Sequence, residues 1–213
     1  MMRSVVIGGN SREVGKTSLA ASLIAATPEL QWTAVKLTQF GHGICSRDGT
    51  PCDCAVENPL CPYEITAETG EPADTDSARM LAAGAARALW VRVAMGQLPV
   101  AMPAIREALS EAGNVLFESN SIVDHLAPDV YLSVLNLDIG DCKQSAARLA
   151  TSADAFVLTG KRSSPESWEG FEPSLLRSTP VFEARPPTYC TAEIVSFVRQ
   201  HLLEAQSKGT HKP

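Results

Sequence analysis

The sequence predicts an α/β domain: a mostly parallel sheet with helices on both faces, carrying a cysteine-rich insert after its second strand. Short apolar, β-rich runs alternate with stretches of helical period along most of the 213 residues, and a parallel crossover needs a connection of helix length. A glycine-rich turn joins the first apolar run to the first helical stretch. An apolar content of 45% is enough to fill the core of one ordinary domain.

The first run, RSVVIGG (3–9), reads as a buried strand, and GKTSLAASLIAA (15–26) switches to helical spacing through Leu19, Leu23 and Ile24. WTAVKLT (32–38) is the second strand. Residues 39–74 then lose periodicity and gather Gly, Pro, Cys and acidic groups, which is too long for an ordinary connection and marks a functional insert or a metal-held loop. DTDSARMLAAGAARA reads as helix, LWVRV as strand, PVAMPAIREALSEA as helix from Pro103 onward, and NVLFES (114–119) as a buried strand. DVYLSVLN, CKQSAARLATSA, AFVLTG, EPSLLRS, PVFEA and TAEIVSFVRQHLLEA continue the alternation. The expected organisation is one domain over 1–206, including the 39–74 insert, and a flexible tail over 207–213.

A net charge of −6 without a Lys/Arg cluster gives no basic field for a phosphate backbone, so no nucleic-acid partner is expected. No run approaches the roughly 18 to 20 apolar residues of a membrane span, and MMRSVVIGG does not resemble an export signal. The chain is expected to be soluble and cytoplasmic. Six cysteines in such a compartment point to metal ligands or redox groups rather than staples.

GGNSREVGKTS carries the strongest chemical signal. Backbone N–H groups at a helix start, glycines for close approach, a lysine aimed at terminal phosphates and a hydroxyl for Mg²⁺ make a phosphate-binding loop. Gly9, Asn10, Ser11, Glu13, Val14, Gly15, Lys16, Thr17 and Ser18 form it, with Asn10 standing where the commonest spacing has its first glycine. The alternative is a chance G-K-T at a helix start.

GNSREVGKTSLA resembles the loop of dethiobiotin synthetase, down to EVGKT, which points to the signal-recognition/MinD/BioD class of P-loop NTPases. That resemblance places Lys36, in AVKLT at the expected end of the second strand, toward a substrate and the terminal phosphate. Glu118, at the end of VLFES, would hold Mg²⁺ through water. AVKLT, DTDSARMLAAGA and VLFES also resemble the molybdopterin-guanine-dinucleotide biosynthesis adaptor B family, which implies that Asp76, Ser77 and Arg79 lie beside the nucleotide. Read without the resemblance, those three are a helix cap and an exposed face. Related NTPases read the base in a loop after a later strand, which implicates Gly160 and Lys161 and leaves ATP or GTP open. A homodimer is implied by the resemblance as well.

Cys45, Cys52, Cys54 and Cys61, spaced C-x6-C-x-C-x6-C, would suit Zn²⁺ or an iron–sulfur cluster. A redox dithiol of Cys52 with Cys54, or inert loop thiols, are the other readings, and His42 is a further donor close by. Cys142 and Cys190 read as small, partly buried residues. The insert would face a small-molecule or protein partner. The leading functional expectation is a Mg²⁺-dependent NTPase whose nucleotide state controls a metal-bearing loop, with Lys16, Lys36 and Glu118 catalytic. An ATP-dependent ligase or kinase, and a nucleotide-binding adaptor of negligible turnover, stand beside it.

Overall fold

The computed structural model describes residues 2–41, 61–70, 74–162 and 168–209. Among these, eight strands form one sheet: β1 (Arg3–Gly9), β2 (Thr33–Phe40), β3 (Tyr63–Ala67), β4 (Arg87–Ala94), β5 (Asn114–Glu118), β6 (Val130–Leu135), β7 (Ala155–Leu158) and β8 (Val181–Glu183). The spatial order is β3-β4-β2-β5-β1-β6-β7-β8, parallel throughout except where β3 runs antiparallel to β4. The helices are α1 (Lys16–Ala26), α2 (Asp76–Ala82), α3 (Leu98–Ala108), α4 (Gln144–Leu149), α5 (Leu175–Ser178) and α6 (Ala192–Gly209).

Period-two alternation sends successive strand residues to opposite faces. Val5 and Ile7 of β1, Ala34 of β2 and Leu116 of β5 pack with Leu19, Leu23 and Ile24 of α1 and with Ile194, Val198 and Leu202 of α6. Val6, Val35 and Phe117 face the other way, against Leu98, Ala101, Met102 and Ile105 of α3. A third cluster joins Leu135, Phe156 and Leu158 to Ala147, Trp168 and Phe171. Lys36 and Glu118 continue the Ala34 and Leu116 rows, so both fall on the α1 side. They are register partners across β2 and β5.

Helix α3 begins at Leu98 and runs through Pro103 rather than starting there. An interior proline costs about 3 kcal/mol. Burying side chains such as Leu98, Met102 and Ile105 is worth roughly 1.5–3 kcal/mol each, and all three are at most 6% exposed, so the apolar stripe wins. Helix α2 is shorter than its sequence pattern, because the chain turns at residues 83–84 and β4 already starts at Arg87.

Strand β3 lies inside the stretch that reads as aperiodic. It is a half-buried edge strand of five residues, with Tyr63 and Ile65 against the α3-side core and Glu64 paired with Arg92 at 2.7 Å. Five residues between polar flanks are too few for a visible period. Helix α6 extends through Gly209, into the segment read as a tail.

Candidate functional site

The loop between β1 and α1 is shaped by close approach. A Cβ on Gly9 would stand 2.8 Å from the Val134 carbonyl oxygen and 2.9 Å from Val14 Cγ2, closer than packing allows. Gly15, the residue before α1, has φ 99°, a left-handed conformation natural to glycine, and a Cβ there would lie 2.7 Å from the Tyr189 ring. Asn120 clasps the Gly9 residue from the β5 side: Gly9 N–H donates to Oδ1 at 2.8 Å and Nδ2 donates to the Gly9 carbonyl at 3.0 Å.

Asn10 explains the unusual spacing. It is fully buried and braces the end of β6, accepting from Asn136 N–H at 2.9 Å and donating to the Asp141 carbonyl at 3.2 Å. Val14 is buried in the core, and its carbonyl accepts from Thr159 Oγ1 at 2.8 Å. Lys16 Nζ donates to the Ser11 carbonyl at 2.6 Å. Glu13 is exposed with φ 54°. No side chain among the described residues caps α1, so its first-turn N–H groups face the loop, an arrangement suited to an anion.

At the carboxyl end of the sheet, Glu118 is 2% exposed. Its Oε2 accepts from Thr17 Oγ1 at 2.8 Å and its Oε1 from Lys36 Nζ at 2.5 Å. Lys36 Nζ also reaches Asp76 Oδ2 at 2.6 Å. Asp76 starts α2, whose cap Thr75 accepts from Ala78 N–H at 3.1 Å. Thr75 and Ser77 hydroxyls both donate to Glu68, just beyond β3, which ties the returning arm of the insert to the helix bearing Asp76. Arg79 donates to Ser18 Oγ at 3.4 Å.

These groups line a cleft of 1020 Å³, together with Arg12, Lys143 and Tyr189 on one side and Thr38, Gln39, Trp90 and Met95 on the other. Positive charge is crowded along it. Burial pulls Lys16 down to about 8, against the pull of Glu118 and with the push of Lys36 and Lys143. Lys143, at the rim, is held below its ordinary value first by loss of water and then by Arg12 and Lys36. For Lys36 burial acts downward too, but Glu118 and Asp76 outweigh it and hold the ammonium above its ordinary value. Burial pushes Asp76 upward, and Lys36 more than offsets this, leaving it below the usual carboxylate range.

The structure therefore brings Gly9, Gly15, Lys16, Thr17, Ser18, Lys36, Asp76, Ser77, Arg79 and Glu118 to one cleft, while Asn10 and Val14 shape it from behind. Gly160, which is buried, and Lys161 sit on the loop after β7 and are not part of its described lining. That loop is pinned to Asp138, which accepts from Lys161 N–H at 2.8 Å and Arg162 N–H at 3.0 Å. Of the insert's ligand candidates, His42, Cys45, Cys52 and Cys54 lie outside the described residues. Cys61 is half-buried, and its thiol donates to the Tyr63 carbonyl at 3.0 Å. Among the described residues no group of three or more His, Cys, Asp or Glu is placed to hold a metal, and no helix is long and apolar enough to cross a membrane. Burial pushes the Cys142 and Cys190 thiols up to about 11.

Sequence reading missed Arg12, Asn120, Lys143 and Tyr189. Asn120 stands two residues past the acidic strand end, a position with a legible signal, whereas Lys143 and Tyr189 come from loops after β6 and β8 that only the folded sheet brings to α1.

A strand–loop–helix with an acidic neighbouring strand end, on a mostly parallel sheet, is a P-loop NTPase fold. No protein-family model matches the sequence, and no curated protein matches it. The structure is similar to that of HypB from Helicobacter pylori in complex with nickel, with a TM-score of 0.50 over 98% of this chain and 91% of that one at 13% identity. At that identity the likeness is one of fold.

Proposed function

We propose that the chain is a Mg²⁺-dependent nucleoside triphosphatase, acting on ATP or GTP, whose nucleotide cleft works with the cysteine-bearing insert in a metal-linked process. The observation that carries this reading is the crowding of Lys16, Lys143, Arg12 and the α1 N-terminus around one cleft. Burial, and then repulsion from Lys36 and Lys143, already push Lys16 toward its neutral form, and a polyanion among these groups favours the charged form. A triphosphate against the loop would take its contacts from the loop N–H groups and Lys16, with Lys36 near its terminal phosphate.

The donor set fits a hard cation. Thr17, Asp76 and Glu118 offer one hydroxyl and two carboxylates, fewer than an all-protein cage, as suits Mg²⁺, which keeps waters and takes phosphate oxygens. When bound, Mg²⁺ would neutralise charge developing on the phosphates. This chain's own part is positioning: Glu118 orients Thr17, and Lys16, together with Lys36, which bridges the two carboxylates in the free chain, carries positive charge to the transferred group.

The metal-linked part of the proposal is supported by the four clustered cysteines and by a fold neighbour determined with nickel. Zn²⁺ or an iron–sulfur cluster suits those thiols, and a homodimer suits the resemblance to the signal-recognition/MinD/BioD class. Release of inorganic phosphate from ATP and from GTP, with Mg²⁺ and with chelator, tests the reading. Turnover that needs Mg²⁺ and falls on the order of a hundredfold in Glu118→Gln is expected. Tight nucleotide binding with no turnover under any metal condition would replace it with the adaptor reading.

A further inference from the structure

Lys36 Nζ sits between the Glu118 and Asp76 carboxylates at 2.5 and 2.6 Å, and Thr17 donates to the second Glu118 oxygen. These three oxygen-bearing side chains are the ones the proposed function gives to Mg²⁺. An ammonium and a hard divalent cation ask for the same anionic oxygens. Both carboxylates are firmly placed: Glu118 ends a buried strand, and Asp76 stands in the first turn of α2, braced by the Thr75 and Ser77 hydroxyls on Glu68. The lysine, on a flexible four-carbon stem, is the member free to swing, and the adjoining cleft is where a triphosphate would offer it new oxygens.

We infer that Lys36 is a tethered counter-ion which competes with the divalent cation for Glu118 and Asp76, so that metal is held firmly only when nucleotide phosphates receive the displaced ammonium. Metal and nucleotide then bind cooperatively, each strengthening the other by the same factor, and the chain avoids a charged metal site without substrate. Glu68, on the returning arm of the insert, bears on the same device, because it accepts from Thr75 and Ser77 on either side of Asp76. The inference rests on the Mg²⁺-dependent reading above.

Mn²⁺, a paramagnetic stand-in for Mg²⁺, gives the test by electron paramagnetic resonance on the full chain without nucleotide. Lys36→Met should bind Mn²⁺ about tenfold or more tighter than the native chain, and adding Asp76→Asn should remove that gain. A non-hydrolysable triphosphate, whose phosphate oxygens ligate the ion in either chain, should then raise Mn²⁺ affinity by a larger factor in the native chain than in Lys36→Met. Equal Mn²⁺ affinity in native and Lys36→Met overturns the inference. If Lys36→Met fails to fold by circular dichroism, ¹³C-dimethylated native protein decides instead: the Lys36 methyl resonance must move with Mg²⁺ plus triphosphate, and an unmoved resonance overturns it. A fluorescent nucleotide with Mg²⁺ present separates the two claims. Absent nucleotide binding sinks the proposed function, while the Mn²⁺ comparison, made without nucleotide, judges the competition alone.

Discussion

Asp76 and Asp138 sit on opposite sides of β1 along the sheet's carboxyl edge, Asp76 by β2 and β5 and Asp138 by β6 and β7, and both carboxyls are held below the usual range for different reasons. Asp76 is partly buried and owes its low value to the Lys36 ammonium, which overcomes the cost of burial. Asp138 is exposed and owes its value first to the backbone N–H of Lys161 and then to that of Arg162. A lysine can leave and a peptide N–H of an anchored loop cannot. The Asp76 end is thus built to respond to a ligand, and the Asp138 end to hold a loop in shape.

The sharpest way to break the responsive end is Gly15→Val. A β-branched residue resists φ 99° and would drive a Cβ into the Tyr189 ring. Nucleotide affinity should fall beyond detection in calorimetry while the far-ultraviolet spectrum is retained. Next comes Lys143→Ala, which removes one charged contact worth about 1.5 kcal/mol, or roughly tenfold in Kd. Unchanged affinity would take Lys143 out of the phosphate contacts.

Proton uptake ranks third. Free Lys16 loses its charge near pH 8, and a bound polyanion raises its pKa again. Affinity should therefore fall as pH rises through about 8, with net proton uptake on binding seen as a dependence of the calorimetric heat on buffer ionisation. A flat profile from pH 7 to 10 would contradict the burial argument.

The comparison itself is sharpened by carboxylate titration with ¹³C NMR. Both groups, depressed in the folded chain, contribute stability that is present above the ordinary value of 3.8 and lost as pH falls through their folded values. In Lys36→Met the Asp76 titration should move upward while that of Asp138 stays where it was. The smallest effect is expected of Asp138→Ala, which leaves two backbone donors to water at an exposed site and should leave the thermal unfolding midpoint nearly unchanged.

The difference between the two ends also explains what the sequence disclosed. Strand β1, the glycine loop and α1 are contiguous, so their chemistry could be read from eleven adjacent residues, and Glu118 closed an apolar run, whereas Lys36 is not the strand end it was expected to be, because β2 runs on to Phe40. Their meeting in register is a property of strand order, which a sequence does not print. Lys143, Tyr189 and Asp138 reach the edge from loops after β6 and β8, and their neighbours carry no period that would single them out. Strand β3 was hidden for another reason: an edge strand needs one apolar face, and Tyr63 and Ile65 supply it with only two side chains. Pro103 misled because an interior proline is read as a helix start, while the burial of Leu98 and Met102 before it was legible only in three dimensions.

Equilibrium binding of ATP and GTP to the native chain and to Lys16→Ala, with Mg²⁺ present, tests the central claim most directly. Native protein should bind at least one of the two, and Lys16→Ala should lose about 2–3 kcal/mol, roughly a hundredfold in Kd, with its fold intact. Native and variant chains binding alike, or a native chain that binds neither nucleotide, would contradict the assignment of this cleft.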